Sequence, residues 1–330
     1  MDRKGRLALY SLTHFWVDLS CAFLVFRTLT DGADLALCLL LYNFCAFALQ
    51  MPLGILADRL DRNGAVAAAG CFLVALAYAV PLPLLTAVIA GTGNALFHLG
   101  GGIDILNVSQ KRAAALGVFV SPGALGLYFG TLWGKAAAPP LWVAPAALLL
   151  LSAAIVLLCR GRSGNAPVDT ACDWRVLLPL FLVVVLRSWM GMNQSFSWKS
   201  GWPLALTLAL VLGKTAGGFV MDGLGPRRAS ALTLGAAAAL YLLCGLPLPG
   251  LAAVFLFNMT MPVTLWAAAR AVPGAKGFAF GLLTFGLFLG YLPSWLGWRS
   301  PLTAPWIYAL VALVSLILLW LPLGKGAQRC

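Results

Sequence analysis

The chain contains no glutamate: all ten of its acidic residues are aspartates. This excludes the Glu/Lys-laced surface by which soluble helices stay in water. Charged residues of every kind make up only 10% of the sequence, too few to clothe a soluble fold of this length. The eight cysteines (21, 38, 45, 71, 159, 172, 244 and 330) include no CxxC and no Cys/His spacing. They are expected to be small buried hydrophobes or free cytoplasmic thiols rather than disulfides or metal ligands. No phosphate-binding or metal-ligand pattern lies near His14 and Asp18, so no metal, no cofactor and no enzymatic activity is expected, an intramembrane enzyme being the weakest alternative.

Apolar residues are abundant instead, at 62% with a mean hydropathy of +0.93, which requires lipid or other helices as surroundings. Breaking the sequence at charge clusters and Pro/Gly turns leaves twelve apolar runs, each near the length that crosses a bilayer: 7–27, 35–57, 64–82, 84–107, 113–134, 141–159, 175–192, 203–221, 229–247, 249–270, 277–297 and 305–323. The segment Met1 to Arg6 is basic and leads into an apolar stretch, as in a signal sequence. That stretch is long, carries His14 and Asp18 and lacks a small-residue cleavage pattern, so it is expected to stay as the first span.

The net charge of +12 would suggest nucleic acid in a soluble protein. Here an inside amino terminus assigns 16 Lys/Arg to the termini and even-numbered loops, and leaves only Arg27, Lys135, Lys199 and Arg299 outside, with Arg187 and Lys214 within spans. The bias predicts a multi-pass protein of the cytoplasmic (inner) membrane with both termini cytoplasmic, its partner the lipid bilayer and not nucleic acid. The polar segment Arg160 to Trp174 then reads as a linker between an amino-terminal bundle, 1–159, and a carboxy-terminal bundle, 175–330.

A single offset of 164 relates the halves. It joins Gly54 to Gly218, Asp58 to Asp222, Asn94 to Asn258, Arg112 to Lys276, Gly117 to Gly281 and Gly126 to Gly290 without a gap. Six spans per half make the repeat parallel, an arrangement used by transporters. The fold class expected is all-α integral membrane, twelve transmembrane helices in two six-helix repeats.

The stretches Gly54-Ile-Leu-Ala-Asp58-Arg59-Leu-Asp61-Arg62 and Gly218-Phe-Val-Met-Asp222-Gly-Leu-Gly225-Pro-Arg227-Arg228 resemble the loop between helices 2 and 3, and again 8 and 9, of the major facilitator superfamily. In the first, Asp61 stands where that pattern has a second Gly. The resemblance implies cytoplasmic gating loops in which Gly54 and Gly218 allow close helix approach, while Asp58 and Asp222 with Arg59, Arg62, Arg227 and Arg228 clamp helix ends. Thr13-His14-Phe-Trp-Val-Asp18, Gly91-Thr-Gly-Asn94-Ala-Leu-Phe-His98 and the Gly/Pro-rich 117–130 are similar to the fosmidomycin-resistance and drug-exporting branches. That implies an exporter of small organic solutes.

Ionisable groups inside a bilayer are costly, so each is a candidate for function. His14 and Asp18 are four residues apart on one helical face, and the superfamily resemblance implies that spans 1, 4, 7 and 10 line a cavity where His98 would join them. Together the three are the expected proton-coupling site, with the proton gradient as driving force; a static polar contact pinning span 1 to span 4 is the alternative. Asn94, Arg187, Trp189, Asn193, Asn258 and Trp266 are the expected substrate-binding residues. Met259-Thr260-Met261-Pro262 is expected to loosen span 10 by removing a backbone bond. Trp198, Trp202, Trp298 and Trp306 are expected at the membrane interfaces. Arg187 and Lys214 also fit a rival reading, uptake of an anionic nutrient. A non-transporting membrane protein such as a lipid flippase is a third. Loops this short leave little outside the bilayer for a protein partner, so a monomer is expected.

Overall fold

A computed structural model describes residues 1–29, 35–109, 112–166, 172–298 and 304–325. Lys111, Arg299, Arg329, Cys330 and part of the linker, 167–171, lie outside the described residues. Within them the chain is helical, with no strand, and forms twelve helical spans. These are α1 (Arg3–Thr28), α2 (Leu35–Leu60), α3 (Asn63–Ala77), α4 (Pro83–Ser109), α5 (Ala114–Ala136), α6 (Val143–Leu158), α7 (Trp174–Asn193), α8 (Pro203–Leu224), α9 (Pro226–Tyr241), α10 (Pro247–Ala271), α11 (Lys276–Trp295) and α12 (Pro305–Lys325). Nine are long and apolar enough to cross a membrane; α3 and α6 are shorter apolar helices, and α9 is a 16-residue helix with Arg227 and Arg228 in its first turn. Their outer surfaces carry side chains such as Leu150 and Leu248, about three-quarters exposed at 74% and 73%. A surface of this kind is stable against lipid and not against water, which makes this a multi-pass membrane protein.

The helix ends follow local chemistry. The first helix starts at Arg3, four residues before the first apolar run, because the Asp2 carboxylate caps it by accepting the Gly5 amide at 2.9 Å. Helix α3 stops at Ala77 and α9 at Tyr241, each several residues short of its apolar run, which ends in a hydrogen-bonded turn. Proline sets two internal breaks. Pro122 divides α5 after Ser121, and Pro262 follows the interruption of α10 at Met259 and Thr260. A π-turn, Phe44–Ala48, interrupts α2.

The contacts divide the chain into two compact units. The first holds Met1–Gln110, Pro122–Val168 and Gly274–Phe285; the second holds Lys111–Ser121, Asp169–Pro273 and Gly286–Cys330. The opening turns of α11 thus pack within the first unit, and the opening turns of α5 within the second. In the first unit α1 lies along α5, and α3 along α4. In the second, α9 packs on α12, and α8 on α10 and the start of α5.

Candidate functional site

In the first unit, α1 and α4 bring three titratable side chains to one point. His14 Nε2 lies 3.3 Å from Asp18 Oδ2, and His98 Nε2 lies 2.9 Å from His14 Nε2 and 3.7 Å from Asp18 Oδ1. Helical spacing explains the first pair; the second depends on α4 crossing α1 at His98. Asn94, one turn before His98, donates its amide to Asp18 Oδ1 at 3.1 Å, and its backbone carbonyl meets His98 Nδ1 at 2.9 Å. His14 is buried, and Phe97 lies edge-on to the His98 imidazole and tilted against that of His14.

Proton positions follow from the acceptors. A carbonyl oxygen cannot donate, so His98 Nδ1 carries a hydrogen and, in neutral His98, Nε2 is a bare lone pair. The 2.9 Å contact then requires His14 Nε2 to carry the hydrogen, with Asp18 Oδ2 as its other neighbour. In that state a single hydrogen on His14 Nε2 lies between His98 Nε2 and Asp18 Oδ2. The three groups' ligand-type atoms lie within 4.8 Å of one another, close enough for one small cation. The sequence offered no such spacing because the third group comes from a helix 80 residues further on. On the α5 side, Gly123 faces the cluster: a Cβ there would collide with Asp18 Oδ2 and His14 Nε2.

In the second unit, Arg187 is buried at 9% exposure in the last third of α7. Its Nη2 donates to Thr260 Oγ1 at 2.8 Å and its Nη1 approaches Thr264 Oγ1 at 3.5 Å, while Nε is buried without a partner. Thr260 sits at the break in α10. The other expected substrate residues are differently engaged. Asn193 donates to the Trp189 carbonyl at 2.8 Å and to Ser294 Oγ at 3.3 Å, and Asn258 donates to the Val254 carbonyl of its own helix. Trp189 is half-buried where α7 meets Gly290 of α11. Trp266 lies under the Arg270 guanidinium, 4.8 Å from its ring centre. Of the expected interface tryptophans, Trp202, Trp298 and Trp306 are exposed. Trp198 instead stacks on Phe196 and donates to the Cys244 carbonyl.

The paired loops form the same device twice. Asp58, at the end of α2, accepts the amides of Gly277 and Phe278 at 2.7 and 2.9 Å, the first turn of α11. Asp222, at the end of α8, accepts the amides of Ala113 and Ala114 at 2.7 and 3.1 Å, at the start of α5. Gly54 and Gly218 permit this approach, since a Cβ on Gly54 would meet the Gly277 carbonyl and one on Gly218 the Ala113 carbonyl. Each carboxylate therefore grips a helix amino terminus through backbone hydrogens. Arg59, Arg62 and Arg228 are exposed, and Arg227 reaches from α9 to α12, donating to the Trp320 carbonyl at 3.2 Å and stacking on its ring.

Sequence reading missed a polar network beneath the first loop. Asp104 of α4 is buried and accepts Tyr10 Oη at 2.9 Å and Asn63 Nδ2 at 3.2 Å, with Arg6 Nη1 at 3.6 Å. The linker docks on the same place. Asn165 donates its backbone N–H to Asp61 Oδ1 at 2.8 Å, and its side-chain oxygen accepts from Asn63 and Asn107 at 2.9 and 2.8 Å. Lys276 donates to Asn107 Oδ1 at 2.7 Å. Asp61, left-handed at φ 49°, is the residue that departs from the loop pattern, and holding the linker is what it does here. An aspartate in the apolar run of α4 was the available signal for Asp104; no local signal pointed to Asn165.

No family model and no curated protein matches the chain. Solved structures do. The fucose:proton symporter FucP of E. coli aligns with a TM-score of 0.74 at 15% identity, over 97% of this chain and 98% of that one. The human organic anion transporter MFSD10 aligns at 0.69 and 16% identity over 97% and 100%. A bacterial homologue of the iron transporter ferroportin aligns at 0.68 and 15% identity over the whole of both chains. Together with the twelve spans and the doubled loop, these likenesses show that the chain has the fold of the major facilitator superfamily.

Proposed function

We propose that this chain is a secondary active transporter, proton-coupled, which moves a small organic solute across the cytoplasmic membrane by alternating access, in the export direction, as a monomer with both termini in the cytoplasm. The observation that carries the coupling is the close grouping of His14, His98 and Asp18, whose nearest polar atoms lie 2.9, 3.3 and 3.7 Å apart. Gaining or losing one proton there changes the charge of a mostly buried cluster, which is the differential a gradient needs in order to bias two states. Sharing a fold with a fucose:proton symporter is consistent with that reading and leaves direction open. The test is transport in proteoliposomes under imposed pH gradients of either sign. Asp18→Asn should abolish gradient-driven accumulation while sparing solute exchange at equal pH. Full gradient-driven transport by this variant would refute the coupling role, and accumulation only with an inward gradient would refute export.

A second reading is favoured by the tight grouping of the same atoms: a divalent transition-metal ion as cargo. Cobalt(II) titration separates the two, since metal held by two imidazoles and a carboxylate has visible absorption bands that a proton site lacks.

A further inference from the structure

Among the described residues of its own unit, Arg187 has no counterion. The acidic residues of that unit are Asp169, Asp173 and Asp222. Asp169 lies outside the described residues, Asp173 caps the start of α7 fourteen positions earlier, and Asp222 is bound to Ala113 and Ala114. Fourteen helical residues span about 21 Å, far beyond an ion pair. From Gly223 to the carboxy terminus the sequence contains no Asp or Glu, so α9, α10, α11 and α12 have none to offer. The guanidinium is nevertheless buried, and an uncompensated buried charge is strongly destabilising.

Its two hydroxyl partners do not neutralise it. Thr260 Oγ1 donates to the Phe257 carbonyl and Thr264 Oγ1 to that of Met261, so both present lone pairs to Arg187 and hold the guanidinium in place. What remains is the side-on edge: Nε–H, which has no partner, with the second hydrogen of Nη2. Two parallel N–H bonds of this kind match the two oxygens of a carboxylate or phosphoryl group. Thr260 also begins the second segment of α10, Met261–Ala271, whose opening turn receives no side-chain cap. A helix amino terminus left open beside the guanidinium adds to the attraction for an anion.

We propose that Arg187, fixed by Thr260 and Thr264 at the break in α10, is an oxyanion subsite, and that the transported solute carries a carboxylate or phosphoryl group bound there. This rests on the reading of the chain as a transporter. It does not depend on the proton cluster.

The test is thermal unfolding of the purified full-length protein in detergent, with inorganic phosphate or succinate against sodium chloride of equal ionic strength. Wild type should be stabilised by at least one of the two oxyanions. Arg187→Gln should lose that shift and, without oxyanions, melt no lower than wild type, because a neutral amide removes a buried charge. Arg187→Lys, which keeps charge without the fork, should bind roughly tenfold more weakly. Asp18→Asn should retain the oxyanion shift even where gradient-driven transport is lost, which separates failure of this subsite from failure of coupling. The proposal is overturned if wild type shows no shift, if Arg187→Gln shows an equal one, or if Arg187→Gln melts well below wild type without oxyanions. Stabilisation only by phosphatidylglycerol vesicles, and by neither soluble anion, would also overturn it in favour of a lipid headgroup.

Discussion

Asp58 and Asp222, 164 positions apart, each grip the amino terminus of a helix that is itself the repeat image of the other's partner: Gly277 and Phe278 for Asp58, Ala113 and Ala114 for Asp222. The offset that relates the carboxylates also relates the amides they bind. The burial differs. Asp58 is 5% exposed beneath the linker, whereas Asp222 faces solvent.

That difference predicts unequal costs. Asp58→Ala strands two amides in a covered site and should destabilise the protein by about 3 kcal/mol. Asp222→Ala should cost less, because water replaces the carboxylate. Amide hydrogen exchange assigns the effects: faster exchange at Gly277 and Phe278 in the first variant, and at Ala113 and Ala114 in the second. Unchanged exchange at those pairs would refute the device.

Gly123 leaves the space into which the His14 and Asp18 side chains project. Gly123→Ala should therefore impair gradient-driven transport while the protein still reaches the membrane and melts cooperatively. Gly191, where a Cβ meets nothing, is the control, and Gly191→Ala should transport normally. Equal behaviour of the two variants would count against the cluster's role.

Asn165 ties the linker to α3, α4 and Asp61 through hydrogen bonds to three side chains. Replacing it with alanine should cost about 1 kcal/mol, since the side-chain bonds are lost and the site is open enough for water. The readout is protease cleavage within 160–174, which should accelerate. Cleavage at the wild-type rate would mean that the linker is held by other means.

Asp104 carries the larger stake beneath it. Asp104→Leu leaves the Tyr10 hydroxyl and the Asn63 amide without their acceptor in a buried place, an expected loss of about 3 kcal/mol. Asp104→Asn keeps one acceptor oxygen and should fall between. Urea or thermal unfolding that ranks the two variants the other way would contradict the network.

Much of this molecule was legible in its sequence. Hydrophobicity located all twelve helices, nine of them long and apolar enough to cross a membrane, because a bilayer imposes a length and a polarity that single residues cannot evade. The offset of 164 identified the doubled loop, and spacing of four placed His14 beside Asp18 on one face. Misjudged helix ends were those where a cap or turn, rather than hydrophobicity, decided the last residues, as at Asp2 and Tyr241.

What tertiary structure alone decided was partnership between distant helices. His98 reaches His14 only because α4 crosses α1 at that height. Arg187 meets Thr260 only because proline opens α10 there. The clamp was expected from the carboxylates together with their neighbouring arginines; Asp58 and Asp222 bind backbone amides, since helix amino termini present unpaired hydrogens that no sequence pattern displays. Periodicity and hydrophobicity are properties of one helix and can be read along the chain; a site is a property of several, and its geometry exists only once they pack.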